Sequence, residues 1–145
     1  MGDATNYVKI GNLTSGSAAT LRSDAAASIP TTFAYVQQMS GIDLYKRIIQ
    51  AKGGVVASAG THVDGCALDL RTRDLSTAVI TKVVAALREC GWVAHWRHTG
   101  SFANNQHIHA SADTGNYSKT YYQVTATKAG YNGLGSGGRG GRDEH

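Results

Sequence analysis

The chain has 145 residues, room for one domain that buries about two thirds of its unfolded surface around a single core. Its apolar runs stop after a few residues, far short of the roughly 20 that a membrane-spanning helix needs, and the N-terminus lacks the charged start and apolar stretch of a cleaved secretory signal, so a soluble chain is expected. The formal charge of +4 and pI near 9.2 suit an acidic partner such as nucleic acid, anionic lipid or bacterial wall polymer, without choosing among them.

Residues 1–22, rich in Ser, Thr, Gly and Ala around "YVKIGNL", are expected to form a short strand or an ordered N-terminal arm. Ser23, Asp24 and the alanines after them mark a helix start, with a capping oxygen and a carboxylate in the first turn. Pro30 should break or kink that helix. "TTFAYVQQM" resumes helical spacing with Phe33, Val36 and Met39 inward, and Gly41 ends it. "IDLYKRIIQ" sets Ile42, Leu44 and Ile48 against polar neighbours, which predicts a half-buried strand.

The clearest element is "DLSTAVITKVVAALRECG", where Val79, Ile80, Val83, Val84, Leu87 and Cys90 fall on one helical stripe. Asp74 or Ser76 can cap its start, and Gly91 can terminate it. "WVAHWR" reads as a strand, "HTGSFANN" as a polar loop, and "QHIHASA" as a strand with His107 and His109 on one face and Ile108 on the other. A short helix from about 118 to 128 is expected to pack behind. The last residues, "GLGSGGRGGRDEH", are linker-like. The expected organisation is an arm over 1–22, a main domain over 23–133 and a flexible Gly/Arg-rich tail over 134–145. The fold class is α+β, with a small antiparallel sheet packed against helices.

Chemistry concentrates in "SAGTHVDGCALDL", residues 58–70. On a helix, His62 and Asp69 would stand two turns or roughly 10 Å apart, too far to share one metal ion. A turn must therefore lie between them, and Gly65 permits one. Beyond it, Cys66, Leu68 and Leu70 alternate toward a core while Ala67 and Asp69 face the other side. Cys66 thus points away from Asp69, and with Cys90 it reads as a buried thiol; two cysteines are too few for a disulfide framework. "HIH" presents two adjacent imidazoles on one strand face, so three histidines and one aspartate can converge on one concave site. Two imidazoles, one carboxylate and a position open to water make the usual catalytic zinc set. His95 and His98 read as packing or surface residues, and "GGRGGR", without interleaved aromatics, is a weak nucleic-acid signal.

With "HIH" some forty residues after "SAGTHVDGCALDL", and with "GGVVASAGTH", "GWVAHWR" and "AGYNGL" in the same order, the stretch 23–133 resembles the family of zinc D-alanyl-D-alanine carboxypeptidases and phage endolysin peptidases. That family is related to lysostaphin-type peptidases and the hedgehog signalling domain. The resemblance implies a hedgehog-like α+β zinc peptidase domain. It implies one zinc ion held by His62, Asp69 and His109, with His107 unligated and catalytic, and the peptide of bacterial peptidoglycan as substrate.

Many members place an acidic general base shortly before the last zinc histidine; here that role falls to His107. For the residue that polarises the scissile carbonyl, Gln50 and Arg47 are both candidates. Arg97 can clamp a substrate carboxylate or form a structural ion pair. The chain is expected to be a monomer with no specific nucleic-acid partner, made in the cytoplasm without a signal peptide and acting on the wall once the membrane is permeabilised, as a phage endolysin does. The alternatives are a host wall-remodelling D-Ala-D-Ala carboxypeptidase and a non-catalytic zinc-bearing binding domain.

Overall fold

The computed structural model describes residues 7–51 and 66–112. The first apolar alternation forms a hairpin of β1 (Tyr7–Asn12) and β2 (Ala18–Arg22), antiparallel, with Gly16 at φ 101° in its turn. The expected strand at "YVKIGNL" is therefore present. Its partner "AATLR" carries too few large apolar residues to announce itself, yet Ala19 and Leu21 are fully buried. Thr14 N–H donates to Ile48 O at 2.8 Å, which ties the hairpin loop to the next sheet. Residues 7–22 thus share the core of the residues that follow.

Helix α1 (Ser23–Ala26) is one turn long. Ser23 lies inside it and does not cap it, while Asp24 Oδ1 accepts from Ala25 N–H at 2.9 Å. Pro30 divides this turn from α2 (Ile29–Ser40), where it occupies the first turn and its missing N–H costs no helical bond. Phe33 and Val36 point inward as expected, joined by Ile29 and Thr32, but Met39 is 48% exposed. The inward stripe runs on to Ser40, whose Oγ bonds back to Val36 O, so position 39 turns out to solvent. Gly41 closes the helix in the left-handed conformation at φ 79° and donates to Gln37 O.

The strand expected from Ile42 is shorter than its alternation suggests. Asp43 Oδ1 accepts from Tyr45 N–H at 3.1 Å and turns Leu44–Lys46 into a 3-10 helix, which leaves only β3 (Ile48–Gln50) extended. Leu44 and Ile48 are still buried, so the pattern marked inward residues but not the backbone that delivers them.

Three more strands, β4 (Ala67–Arg71), β5 (Trp92–Arg97) and β6 (His107–Ala112), complete an antiparallel sheet in the order β3-β4-β6-β5. Between β4 and β5 runs α3 (Thr77–Glu89). Ser76 caps it by accepting from Val79 N–H at 3.2 Å, a bond whose removal typically costs about 1 kcal/mol. Ile80, Val83, Val84 and Leu87 are buried, Val79 and Cys90 flank them, and Gly91 follows at φ 89°. This stripe packs on β5 and α2, and Tyr35 of α2 donates a hydrogen bond to Glu89.

The core is built from these stripes and one sheet face: Ile48, Leu68, Leu70, Ala94, Trp96, Ile108 and Ala110. Each fully buried Leu or Ile stabilises the fold by roughly 1.5–3 kcal/mol relative to exposure. Cys66 is buried among them, Cys90 is half-buried, and both thiols are free. The chain is thus α+β with small antiparallel sheets, and among the described residues no helix is long and apolar enough to cross a membrane. The helix expected near 118–128, the tail at 134–145 and the turn carrying His62 and Gly65 lie outside the described residues.

Candidate functional site

Strand alternation turns every second residue of β4, β5 and β6 away from the core, and directly opposed residues share a face. The register therefore sets rows across the second face. One row runs Gln50, Asp69, His109, His95 over all four strands. The next, toward the start of β6, runs Arg71, His107, Arg97. On the other side, Ala67, Ser111 and Val93 make a third. A bulge between Ile48 and Gln50 lets β3 place Gln50 opposite Asp69.

The centre is polar and buried. Asp69 is 8% exposed, His107 6%, His109 1% and His95 2%. His109 Nδ1 and Asp69 Oδ1 are 3.0 Å apart, and His107 Nε2 lies 3.8 Å from the same oxygen. His107 Nδ1 is 2.8 Å from Asn105 O. A carbonyl can only accept, so Nδ1 carries a proton and Nε2 is the ring nitrogen on the Asp69 side. Ser111 Oγ is 3.3 Å from His109 Nε2, and a hydroxyl can donate to that nitrogen or accept from it.

Phe102, in the loop expected to be merely polar, packs edge-on against His107 with centroids 5.5 Å apart. Its ring also lies 5.4 Å from the Arg97 guanidinium carbon. Arg97 is thereby held beside His107, buried at the end of its row. Of the two candidates for polarising a carbonyl, Gln50 stands next to Asp69, half-buried. Arg47 is engaged elsewhere: it makes a two-pronged ion pair with Asp74 at 2.8 and 3.0 Å and donates to Arg71 O. That guanidinium holds the Asp74 carboxyl down at about 2, well below the usual carboxylate range.

His95 and Ser111 are the site-face residues that sequence reasoning passed over. The signal was there, since alternation in "WVAHWR" groups His95 with Arg97, and alternation in "QHIHASA" groups Ser111 with His109. His98, by contrast, stacks on Trp96 with centroids 3.5 Å apart, a packing role.

Among the described residues no group of three His, Cys, Asp or Glu side chains is assembled to hold a metal ion. Two of the three expected ligands, Asp69 and His109, are adjacent, and the third, His62, lies outside the described residues. Asp69 and His109 are of residue types that bind zinc. Two ligands of one tetrahedral zinc at bond lengths of 2.0–2.2 Å stand roughly 3.3–3.6 Å apart, so Oδ1 and Nδ1 at 3.0 Å are at hydrogen-bond distance, somewhat closer than a shared ion would hold them. One carboxylate oxygen with one imidazole nitrogen is also a donor set that zinc accepts. No protein-family model, no curated protein and no solved structure matches the chain.

Proposed function

We propose that the chain is a zinc-dependent peptidase that hydrolyses a peptide bond in bacterial peptidoglycan, of the phage endolysin type. His62, Asp69 and His109 hold the metal, and His107 moves protons. The observation that carries the reading is the meeting of His109 Nδ1, Asp69 Oδ1 and His107 Nε2 on adjacent strands of one buried face. The likeness of "SAGTHVDGCALDL" and "HIH" to the zinc peptidases supports it.

When bound, zinc supplies Lewis acidity toward the scissile carbonyl and makes hydroxide available near neutral pH. Asp69 lowers the positive charge of the site and orients His109. Because Asn105 O fixes the proton on His107 Nδ1, Nε2 is the atom that takes a proton from the attacking water and hands it to the leaving amine. Gln50, opposite Asp69 in the register, donates to the substrate carbonyl in this reading. The surplus of four positive charges favours encounter with an anionic wall, as a rate effect that salt weakens.

The test is digestion of purified walls by zinc-loaded protein, with released fragments read by mass spectrometry. New internal peptide ends, and lysis of permeabilised cells that depends on His107, are expected. Loss of terminal D-Ala alone would assign a wall-remodelling carboxypeptidase, and bound zinc with no cleavage would assign a binding domain.

A further inference from the structure

Beside the His107 end of the site lies a cleft of about 450 Å³ lined by Thr14, Ile49, Arg71, Arg73 and the loop Ala103–Gln106. Its position follows from the register. Arg71 is directly opposite His107, and Asn105, which accepts the hydrogen bond of His107 Nδ1, belongs to the cleft wall. Among the described residues the arginines here outnumber the carboxylates, with Asp74 shared by Arg47 and Arg71. Arg47 already occupies both oxygens of Asp74, Arg71 Nε reaches that carboxylate only at 4.0 Å, and Arg73 meets no carboxylate among the described residues. Among the other described wall residues, Asn104, Asn105, Gln106 and Thr14 are neutral hydrogen-bonding groups.

We infer that this cleft binds a carboxylate of the peptide substrate, held by Arg71 and Arg73, and so selects which peptide is presented to His107. The inference rests on the peptidase reading and adds its specificity element. Guanidinium forks match a carboxylate in two parallel hydrogen bonds, whereas the described residues of the cleft include no aromatic ring on which a nucleobase could stack. Its volume suits one or two peptide residues, not a polymer backbone tracked along a groove.

The experiment compares two synthetic stem peptides that differ only in a free or an amidated side-chain carboxyl. The wild-type chain is expected to prefer the free acid by roughly ten- to hundredfold in kcat/KM, the range of a charge-assisted hydrogen bond. Arg73→Gln should shrink that preference through KM, and Arg71→Gln combined with Arg73→Gln should abolish it. Equal use of both peptides by wild type, or a preference that survives in the double variant, overturns the inference. A binding arm separates it from the peptidase reading: the same peptides are titrated into the protein while the arginine side-chain N–H resonances are followed by NMR. Shifts at Arg71 and Arg73 with the acid and not the amide uphold the cleft even where nothing is hydrolysed; no shift overturns it. Inorganic phosphate displacing the acid peptide at equal concentration would mark a phosphate site and also overturn it.

Discussion

Asp69 Oδ1 and His109 Nδ1 face one another at 3.0 Å across the β4–β6 pair, two buried donors from positions forty residues apart in the chain. Each is the other's neighbour because the strands pair at this register, and together they present a carboxylate and an imidazole to one point. The proposed zinc site is built on this pair.

The purified chain should therefore retain close to one zinc ion per molecule. Asp69→Ala or His109→Ala should weaken zinc binding on the order of a hundredfold or more, since each removes a direct ligand. Metal analysis after dialysis against a graded chelator measures this. Full occupancy in the Asp69 variant would remove the site as assigned.

His107→Ala should keep zinc and fold while wall hydrolysis falls on the order of a hundredfold or more, the contribution of a positioned acid-base group. His107 touches Asp69 only at 3.8 Å and spends its other nitrogen on Asn105 O. Parallel measurement of zinc content and fragment release decides the matter: metal lost in step with activity would make His107 a ligand.

Ser111 should act through His109. Without metal, the carboxylate of Asp69 requires the proton on Nδ1, and Nε2 accepts from the Ser111 hydroxyl. Were the imidazole to hold zinc through Nδ1, its proton would sit on Nε2, where the same hydroxyl could accept it. Long-range nitrogen NMR should show this exchange of tautomers on adding zinc, and Ser111→Ala should weaken zinc binding roughly ten- to hundredfold, as loss of an outer partner does. An unchanged tautomer in both states would refute the role.

Asp74 has a folded-state pKa of about 2 against an ordinary 3.8, held down first by its hydrogen bond to Arg47. A depressed carboxyl pKa stabilises the native state at pH above the ordinary value. That contribution is lost as pH falls from about 3.8 through about 2. The pair is exposed, so the effect on overall stability is small. Carboxyl-carbon NMR should follow Asp74 titrating near the lower value, and Arg47→Met should return it toward the ordinary one.

Local chemistry determined much of this molecule by sequence alone. Alternation in "CALDL" and "QHIHASA" sends Leu68, Leu70, Ile108 and Ala110 one way and Asp69, His107 and His109 the other, and the structure keeps every one of those assignments. Helical period placed the inward stripe of α3, and Gly41 and Gly91 ended their helices where a left-handed backbone was needed. These are properties of a few neighbouring residues, so they can be read along the chain.

Alternation cannot fix register, because sliding one strand by two residues preserves both faces. Only the tertiary pairing decided that Asp69 stands opposite His109 with His107 one row away, that His95 completes the row, and that Gln50 pairs with Asp69 in the register while Arg47 is taken by Asp74. The same holds for β2, whose "AATLR" becomes a strand because β1 supplies its hydrogen bonds and the core accepts Leu21. Those choices depend on which distant segments leave the fewest buried groups unpaired, a condition that exists only once the whole chain is packed.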